Sequence, residues 1–150
     1  MAKVKFSQGS FTPQNPEKYI GKKTPKYRSS WELVFMQLCD NHPGIIKWAS
    51  EGIYIPYLHP LTGKRTTYIP DFLIVYVDKN NKHHAEVIEI KPLKETTLER
   101  AGRSARSRLA AVINEQKFKA ATAWCRAQGL TFKVVTENDI FHQGSLKKRK

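Results

Sequence analysis

Asp71, Glu89 and Lys91 are two acids and an amine set at the ends of two apolar runs. The runs, Tyr68-Ile69-Pro70-Asp71-Phe72-Leu73-Ile74-Val75-Tyr76-Val77 and Ala85-Glu86-Val87-Ile88-Glu89-Ile90-Lys91, each read as a buried strand. Asp78-Lys79-Asn80-Asn81-Lys82 joins them as a polar turn, so the segment is a hairpin. A turn centred on Asn80 sets Asp71 directly across from Glu89, with Cβ atoms roughly 4.5–5.5 Å apart. Side chains alternate along a strand, so Asp71, Glu89 and Lys91 share one face. Two carboxylates this close repel, and one pKa rises unless a cation lies between them. Mg²⁺, which takes one or two carboxylates together with water and phosphate oxygens, suits this corner, with Mn²⁺ as its substitute. A structural ion pair at a strand end is the plainer explanation for a lone pair. It accounts poorly for three charges within apolar strands, where burial demands compensation.

The chemistry needs a scaffold, and the length permits one. At 150 residues and 40% hydrophobic, the chain suits one α/β or α+β domain with a real core. Lys and Arg number 26 against 13 Asp and Glu, a formal net charge of +13 that favours a polyanionic partner, most simply nucleic acid. No run has the length of a transmembrane helix and no signal-peptide core opens the chain, so the expectation is a cytosolic protein with no membrane partner. Cys39 and Cys125 lack zinc or redox spacing and read as buried thiols, and the five histidines are scattered as surface or turn residues. No Gly-rich phosphate loop is present, leaving a nucleotide-driven mechanism without support.

In chain order, residues 1–28 are rich in Lys, Pro, Gly and Ser without apolar periodicity and read as a basic, partly ordered arm. Lys22, Lys23, Lys26 and Arg28 are its phosphate-binding candidates, with solvation as the alternative. Trp31, Val34, Phe35 and Leu38 follow the spacing of an amphipathic helix over about 30–40, closed by Asn41-His42-Pro43-Gly44. Ser29 and Glu32 fit a capping box, which gives Glu32 a purely structural task. Extended character resumes at Ile45, and three antiparallel strands are expected at about 53–58, 65–77 and 84–91.

Pro92 ends the last of these. The basic segment beyond it, with Lys94, Arg100, Arg103, Arg106 and Arg108, reads as a mobile loop or frayed helix start bordering the site. A long helix over about 107–128 follows, with Leu109, Val112, Ile113, Ala120, Trp124 and Ala127 on its inward stripe. Gln116 and Lys117 interrupt that stripe, either meeting the acids of the sheet or snorkelling outward. Phe118 falls opposite, which requires a helix break near Glu115 or a contact with another element or a partner. The final strand, 131–136, returns after a crossover helix and should join the sheet in parallel. A basic tail occupies 141–150, leaving 29–140 as the domain.

The order helix, three strands, helix, strand, with Pro70-Asp71 and Glu89-Ile90-Lys91 at the strand ends and an acid in the first helix, resembles the PD-(D/E)XK nuclease superfamily. The resemblance covers about residues 29–136 and implies a restriction-endonuclease-like αβββαβ core, a central mixed sheet flanked by helices. It further implies that Asp71, Glu89, the Ile90 carbonyl and Glu32 hold one or two Mg²⁺ ions and that Lys91 orients or deprotonates the attacking water. The pieces Tyr27-Arg28-Ser29-Ser30-Trp31-Glu32, Ile46-Lys47-Trp48-Ala49-Ser50-Glu51, Ile55-Pro56-Tyr57, Glu89-Ile90-Lys91-Pro92 and Phe118-Lys119-Ala120-Ala121 are similar to the head completion nucleases of T-even-type tailed phages. Endonuclease subunits of Tn7-type transposition are a further likeness. These resemblances imply a metal-dependent deoxyribonuclease, an endonuclease with exonuclease action as an option, cutting double-stranded DNA with little sequence preference. Its setting would be head completion and head-tail joining in the host cytoplasm, with the virion as a further location and portal or neck proteins as partners. The expected DNA contacts are Lys22, Lys23, Lys26, Arg28, Arg65, Lys94, Arg100, Arg103, Arg106, Lys117 and Lys119. The competing readings are a structural DNA-binding assembly protein with a vestigial site and a site- or junction-specific nuclease of the same fold.

Overall fold

The computed structural model describes residues 8–141. Two short strands, β1 (Gly9–Ser10) and β2 (Lys26–Tyr27), pair antiparallel around a 3-10 turn at Pro16–Lys18. This segment, read from sequence as a partly ordered arm, packs on the domain: Phe11 and Tyr19 set their rings edge-on to Trp48 at centroid distances of 5.9 and 4.7 Å. The buried Asp40 carboxylate accepts the backbone N–H groups of Gln14 and Asn15 at 2.8 and 3.0 Å, which fixes the segment by main-chain bonds.

Helix α1 (Ser30–Asn41) begins where Ser29 accepts the Glu32 N–H at 3.2 Å. It ends as His42 turns extended ahead of Pro43. Phe35, Met36 and Cys39 are buried against the sheet, and Phe35 meets Phe72 at 4.9 Å between ring centroids. The sheet contains β3 (Ile45–Ser50), β6 (Phe72–Val77), β7 (His83–Ile90) and β8 (Thr131–Val135), in the spatial order β3-β6-β7-β8. The first three are antiparallel, and β8 joins β7 in parallel, as the crossover helix requires. Phe72 pairs with Ile88 and Leu73 with Val87, the register that follows from a turn centred on Asn80. The outer edge of β3 is bridged at Trp48 by Tyr19, with an Ile20 N–H donating to the Trp48 carbonyl at 2.9 Å.

The sheet corrects the expected strands in one respect. Its first strand is β3, whereas residues 55–58 and 65–68 form a separate ribbon, β4 (Ile55–Leu58) with β5 (Arg65–Tyr68). Two backbone features cause the division. Glu51 adopts a left-handed conformation at φ 53°, which turns the chain out of the sheet after β3. Pro70 cannot donate to a ladder, and it breaks the expected 65–77 strand into β5 and β6. The inward face of the ribbon (Ile55, Tyr57, Tyr68) forms a second core cluster with Ala121, flanked by Trp124 and Phe132.

Between β7 and β8 the chain is more ordered than its charge suggested. A 3-10 turn (Leu93–Glu95) and α2 (Leu98–Ala101) occupy the segment expected as a mobile loop or frayed helix start. The Glu137 carboxylate accepts the Leu93 N–H at 2.8 Å and the Glu95 carbonyl accepts the Asn114 amide at 2.9 Å. Gly102 makes the turn at φ 71°, Ser104 caps the next helix, and α3 runs from Ala105 to Ala127. Leu130 donates to Cys125 and Gly129 to Arg126, the crossed bonds of a glycine-terminated helix end, with Gly129 at φ 77°. The inward stripe of α3 differs from the expected one: Ser107, Ala111, Asn114, Ala121 and Cys125 are buried while Leu109 is 49% exposed. Small residues let α3 lie close to the ribbon and the 3-10 turn, so the apolar periodicity of its larger residues misleads. The helix does not break at Glu115; Phe118 meets Phe132 of β8 at 5.7 Å. A short α4 (Glu137–Phe141) follows β8, and residues 142–150, most of the expected basic tail, lie outside the described residues. Cys39 and Cys125 are buried free thiols. Among the described residues no helix is long and apolar enough to cross a membrane.

Candidate active site

Pro70 stops the ribbon, and Asp71 stands at the mouth of β6 beside the C-terminal end of β7. The two strand ends are tied through these acids. The Ile90 N–H donates to Asp71 Oδ2 at 2.8 Å, and the Asp71 N–H donates to Glu89 Oε1 at 3.3 Å. A third bond fixes Asp71 from behind, its carbonyl accepting the Glu51 N–H at 2.9 Å. The φ 53° backbone of Glu51 therefore sits directly against the site. Lys91 follows on the same face as Glu89, its Nζ 3.5 Å from Glu89 Oε2.

A second amine arrives from α3. Lys117 Nζ lies 5.4 Å from the Tyr68 ring centroid and 5.9 Å from that of Tyr57, within cation–π range of both. Of the two readings of Gln116 and Lys117, each holds for one residue: Gln116 is exposed and Lys117 turns toward the acids. The Tyr68 hydroxyl is buried, faces the Glu89 carboxylate and closes no hydrogen bond of ordinary geometry.

Burial, then the neighbouring Glu89 charge, pushes the Asp71 carboxyl well above the usual carboxylate range, against the pull of the Ile90 N–H. Burial also raises Glu89, opposed chiefly by Lys91. Glu32 is raised by burial, and its carboxylate accepts the Arg28 N–H at 3.2 Å while Asp71 and Glu89 lie near enough to be felt electrostatically. Glu32 is thus half of a capping arrangement whose return bond goes to Arg28 instead of Ser29. Burial and the charge of Lys91 lower Lys117.

The chemistry of the side chains fits a hard divalent cation: a buried Glu89 carboxylate and a half-buried Asp71 carboxylate that repel each other, with the buried Tyr68 hydroxyl beside them. Glu32 is turned aside, and among the described residues no group of three or more metal-ligating side chains is already gathered.

The structure brings Asp71, Glu89, Lys91 and Lys117 together, with Glu32 at the border. The other cationic candidates are exposed: Lys22, Lys23 and Lys26 on the N-terminal segment, Arg65 on the ribbon, Lys94, Arg100 and Arg103 on the β7–α3 connection, Arg106 in the first turn of α3, and Lys119 on the outer side of α3. Arg28 is exposed as well and pairs with the Glu51 carboxylate. Sequence reasoning missed Glu51, Tyr57 and Tyr68. The tyrosines alternate inward on the ribbon, a signal that the strands carried, whereas the left-handed Glu51 has no sequence signature.

Residues 42–137 match the family model described as the TnsA-like endonuclease N-terminal domain. The matched region holds Asp71, Glu89, Lys91 and Lys117 and starts after α1, leaving Glu32 outside it. The chain is also similar to the head completion nuclease of Enterobacteria phage T4, at 33% identity over 142 residues that span 88% of this chain and 92% of that protein.

Proposed function

Because this chain belongs to the TnsA-like endonuclease family and matches 92% of the length of a phage head completion nuclease, we propose that it is a metal-dependent deoxyribonuclease acting in phage head completion. The observation that carries this is the convergence of two mutually repelling carboxylates, Glu89 buried and Asp71 half-buried, and two amines at one strand end. Nothing in packing requires four charges there.

Asp71, Glu89 and the Ile90 carbonyl would hold Mg²⁺ or Mn²⁺, with Glu32 supporting from α1. A divalent cation so held neutralises a phosphodiester oxygen and acidifies the attacking water. The chain's own groups do the remainder. The Ile90 N–H fixes one oxygen of Asp71 at 2.8 Å, leaving the other to face substrate. Lys91, held 3.5 Å from Glu89, orients the water and offsets the charge that develops on the phosphate. Lys117, kept desolvated by two tyrosine rings, adds a second positive charge on the same side. Exposed cations on the N-terminal segment, the ribbon, the β7–α3 connection and α3 bind backbone phosphates, which favours double-stranded DNA with little sequence preference and makes binding fall steeply with salt. Acting on newly filled heads would place the protein in the host cytoplasm during assembly, next to portal or neck proteins.

The test is cleavage of supercoiled plasmid, linear duplex and a four-way junction in Mg²⁺ and in EDTA. Nicking and smearing that need Mg²⁺, with Asp71→Ala and Lys91→Ala at least ~10²-fold slower, is the expected result. Discrete fragments would point to a site-specific enzyme and junction-only cutting to a resolvase. Wild-type activity in either variant would overturn the site.

A further inference from the structure

The β4–β5 ribbon has a rigid inner face and an uncovered outer one. Inward, Ile55, Tyr57 and Tyr68 pack on α3 and β8 and wall the pocket of Lys117. Outward, cross-strand pairs set Pro56 beside Thr67 and Leu58 beside Arg65, and all four are exposed. The connecting turn adds Leu61 and Lys64, also exposed. Of the six large hydrophobic residues that stand exposed among the described residues, four fall between Tyr54 and Ile69, with Leu58 at 61% and Leu61 at 57%. Apolar groups concentrated in one exposed element mark a contact surface. Its charge is one-sided: no Asp or Glu occurs between residues 52 and 70, whereas Lys64 and Arg65 do.

We propose that this ribbon is a DNA-reading arm that lies in the groove of the duplex flanking the scissile phosphate at the Asp71–Glu89 site. It deepens the nuclease reading and rests on it for the position of that phosphate. Three arguments favour DNA as the occupant. A two-stranded β-ribbon fits a B-form major groove, about 12 Å wide, where thymine methyl groups offer apolar contacts and the groove walls are phosphates. Apolar, hydroxyl and cationic side chains without a single acid complement such a groove. Continuity supplies the third: β5 leads through Pro70 into Asp71. Arg65 is six residues from Asp71, at most ~20 Å along an extended chain at ~3.3 Å per residue. That is well inside one helical turn of about 34 Å. A duplex with a phosphate at the acids therefore runs within reach of the ribbon, whose inner face is packed on α3.

The test measures binding of a fluorescein-labelled 24-base-pair duplex by anisotropy in EDTA, where nothing is cleaved, across a salt series. Leu58→Ser with Leu61→Ser is expected to weaken binding about tenfold with the salt slope unchanged. Lys64→Ala with Arg65→Ala is expected to weaken it and flatten the slope by about 1–2. All four side chains are exposed, and circular dichroism checks that the variants fold. A photo-crosslinker placed at position 61 should attach to the duplex, giving a readout independent of affinity. Unchanged affinity and slope in both double variants, with no crosslink, overturns the proposal. So does loss of adsorption to phosphatidylserine vesicles while DNA binding is intact, since the ribbon would then serve a lipid surface. Plasmid cleavage by the wild-type protein in Mg²⁺ is read separately. A ribbon that binds duplex on a protein unable to cut sinks the nuclease reading alone, and a protein that cuts normally with an inert ribbon sinks this one alone.

Discussion

Replacing Asp71 by Asn should stabilise the metal-free protein and abolish its response to Mg²⁺. The two carboxylates face each other across a strand pair, where a separation of about 5 Å and an effective dielectric of about 20 give ~3 kcal/mol of repulsion. Lys91, 3.5 Å from Glu89, offsets part of it, so about 1–2 kcal/mol of relief is expected on neutralising one acid. The Asn side-chain carbonyl can still accept the Ile90 N–H that Asp71 Oδ2 accepts at 2.8 Å, so no strand-end bond is lost. For a chain of this length the gain corresponds to a melting temperature about 2–8 °C higher. The pH dependence follows from the raised pKa of Asp71. The folded state holds this proton more tightly than the unfolded chain, whose Asp titrates near ~3.9, so the metal-free wild type loses stability as pH rises from there through the folded value. The gap between variant and wild type should therefore be small at pH 4 and widest once Asp71 is ionised. Mg²⁺ reverses the order: bound at a hundred times its Kd it adds ~2.7 kcal/mol to the wild type and nothing to a variant without the site. Differential scanning fluorimetry from pH 4 to 8, in EDTA and in Mg²⁺, reads all of this. If Asp71→Asn melts no higher than wild type at pH 8 in EDTA and still responds to Mg²⁺, the account of the site as a pair of mutually repelling metal ligands is wrong.

Lys117→Met keeps the apolar stem against Tyr57 and Tyr68 but removes the charge beside the acids. Single-turnover plasmid nicking should slow by ~10²-fold, with Lys117→Arg recovering part of the loss, while the melting temperature of the Met variant does not fall. Trp48→Ala should cost about 3–5 kcal/mol, because Trp48 is fully buried among Phe11, Tyr19 and Phe72. Since two of those partners belong to the N-terminal segment, limited proteolysis of this variant should cut before residue 28 ahead of global unfolding.

What could be read from the residues alone was whatever depends on period and on pairing. The hairpin register follows from one polar turn and alternating strands, which alone set Asp71, Glu89 and Lys91 on one face. The parallel return of β8 followed from the long helix before it. What escaped depends on contacts distant in sequence. The burial of α3 is decided by how closely the ribbon and the 3-10 turn approach it, so Ala111, Asn114 and Ala121 lie inside while Leu109 does not. The same close approach explains Lys117. A long amine is carried inward on a small-residue face because the ribbon brings Tyr57 and Tyr68 over it, and the ribbon exists because Glu51 and Pro70 expel residues 55–68 from the sheet. Two backbone irregularities thus do more than shape the fold. Glu51 also donates its N–H to the Asp71 carbonyl, and Pro70 directly precedes Asp71, so the features that detach the ribbon are those that hold the first acid in place. The position of the ribbon relative to the acids is consequently a fixed property of the chain, set by the same few bonds that build the site.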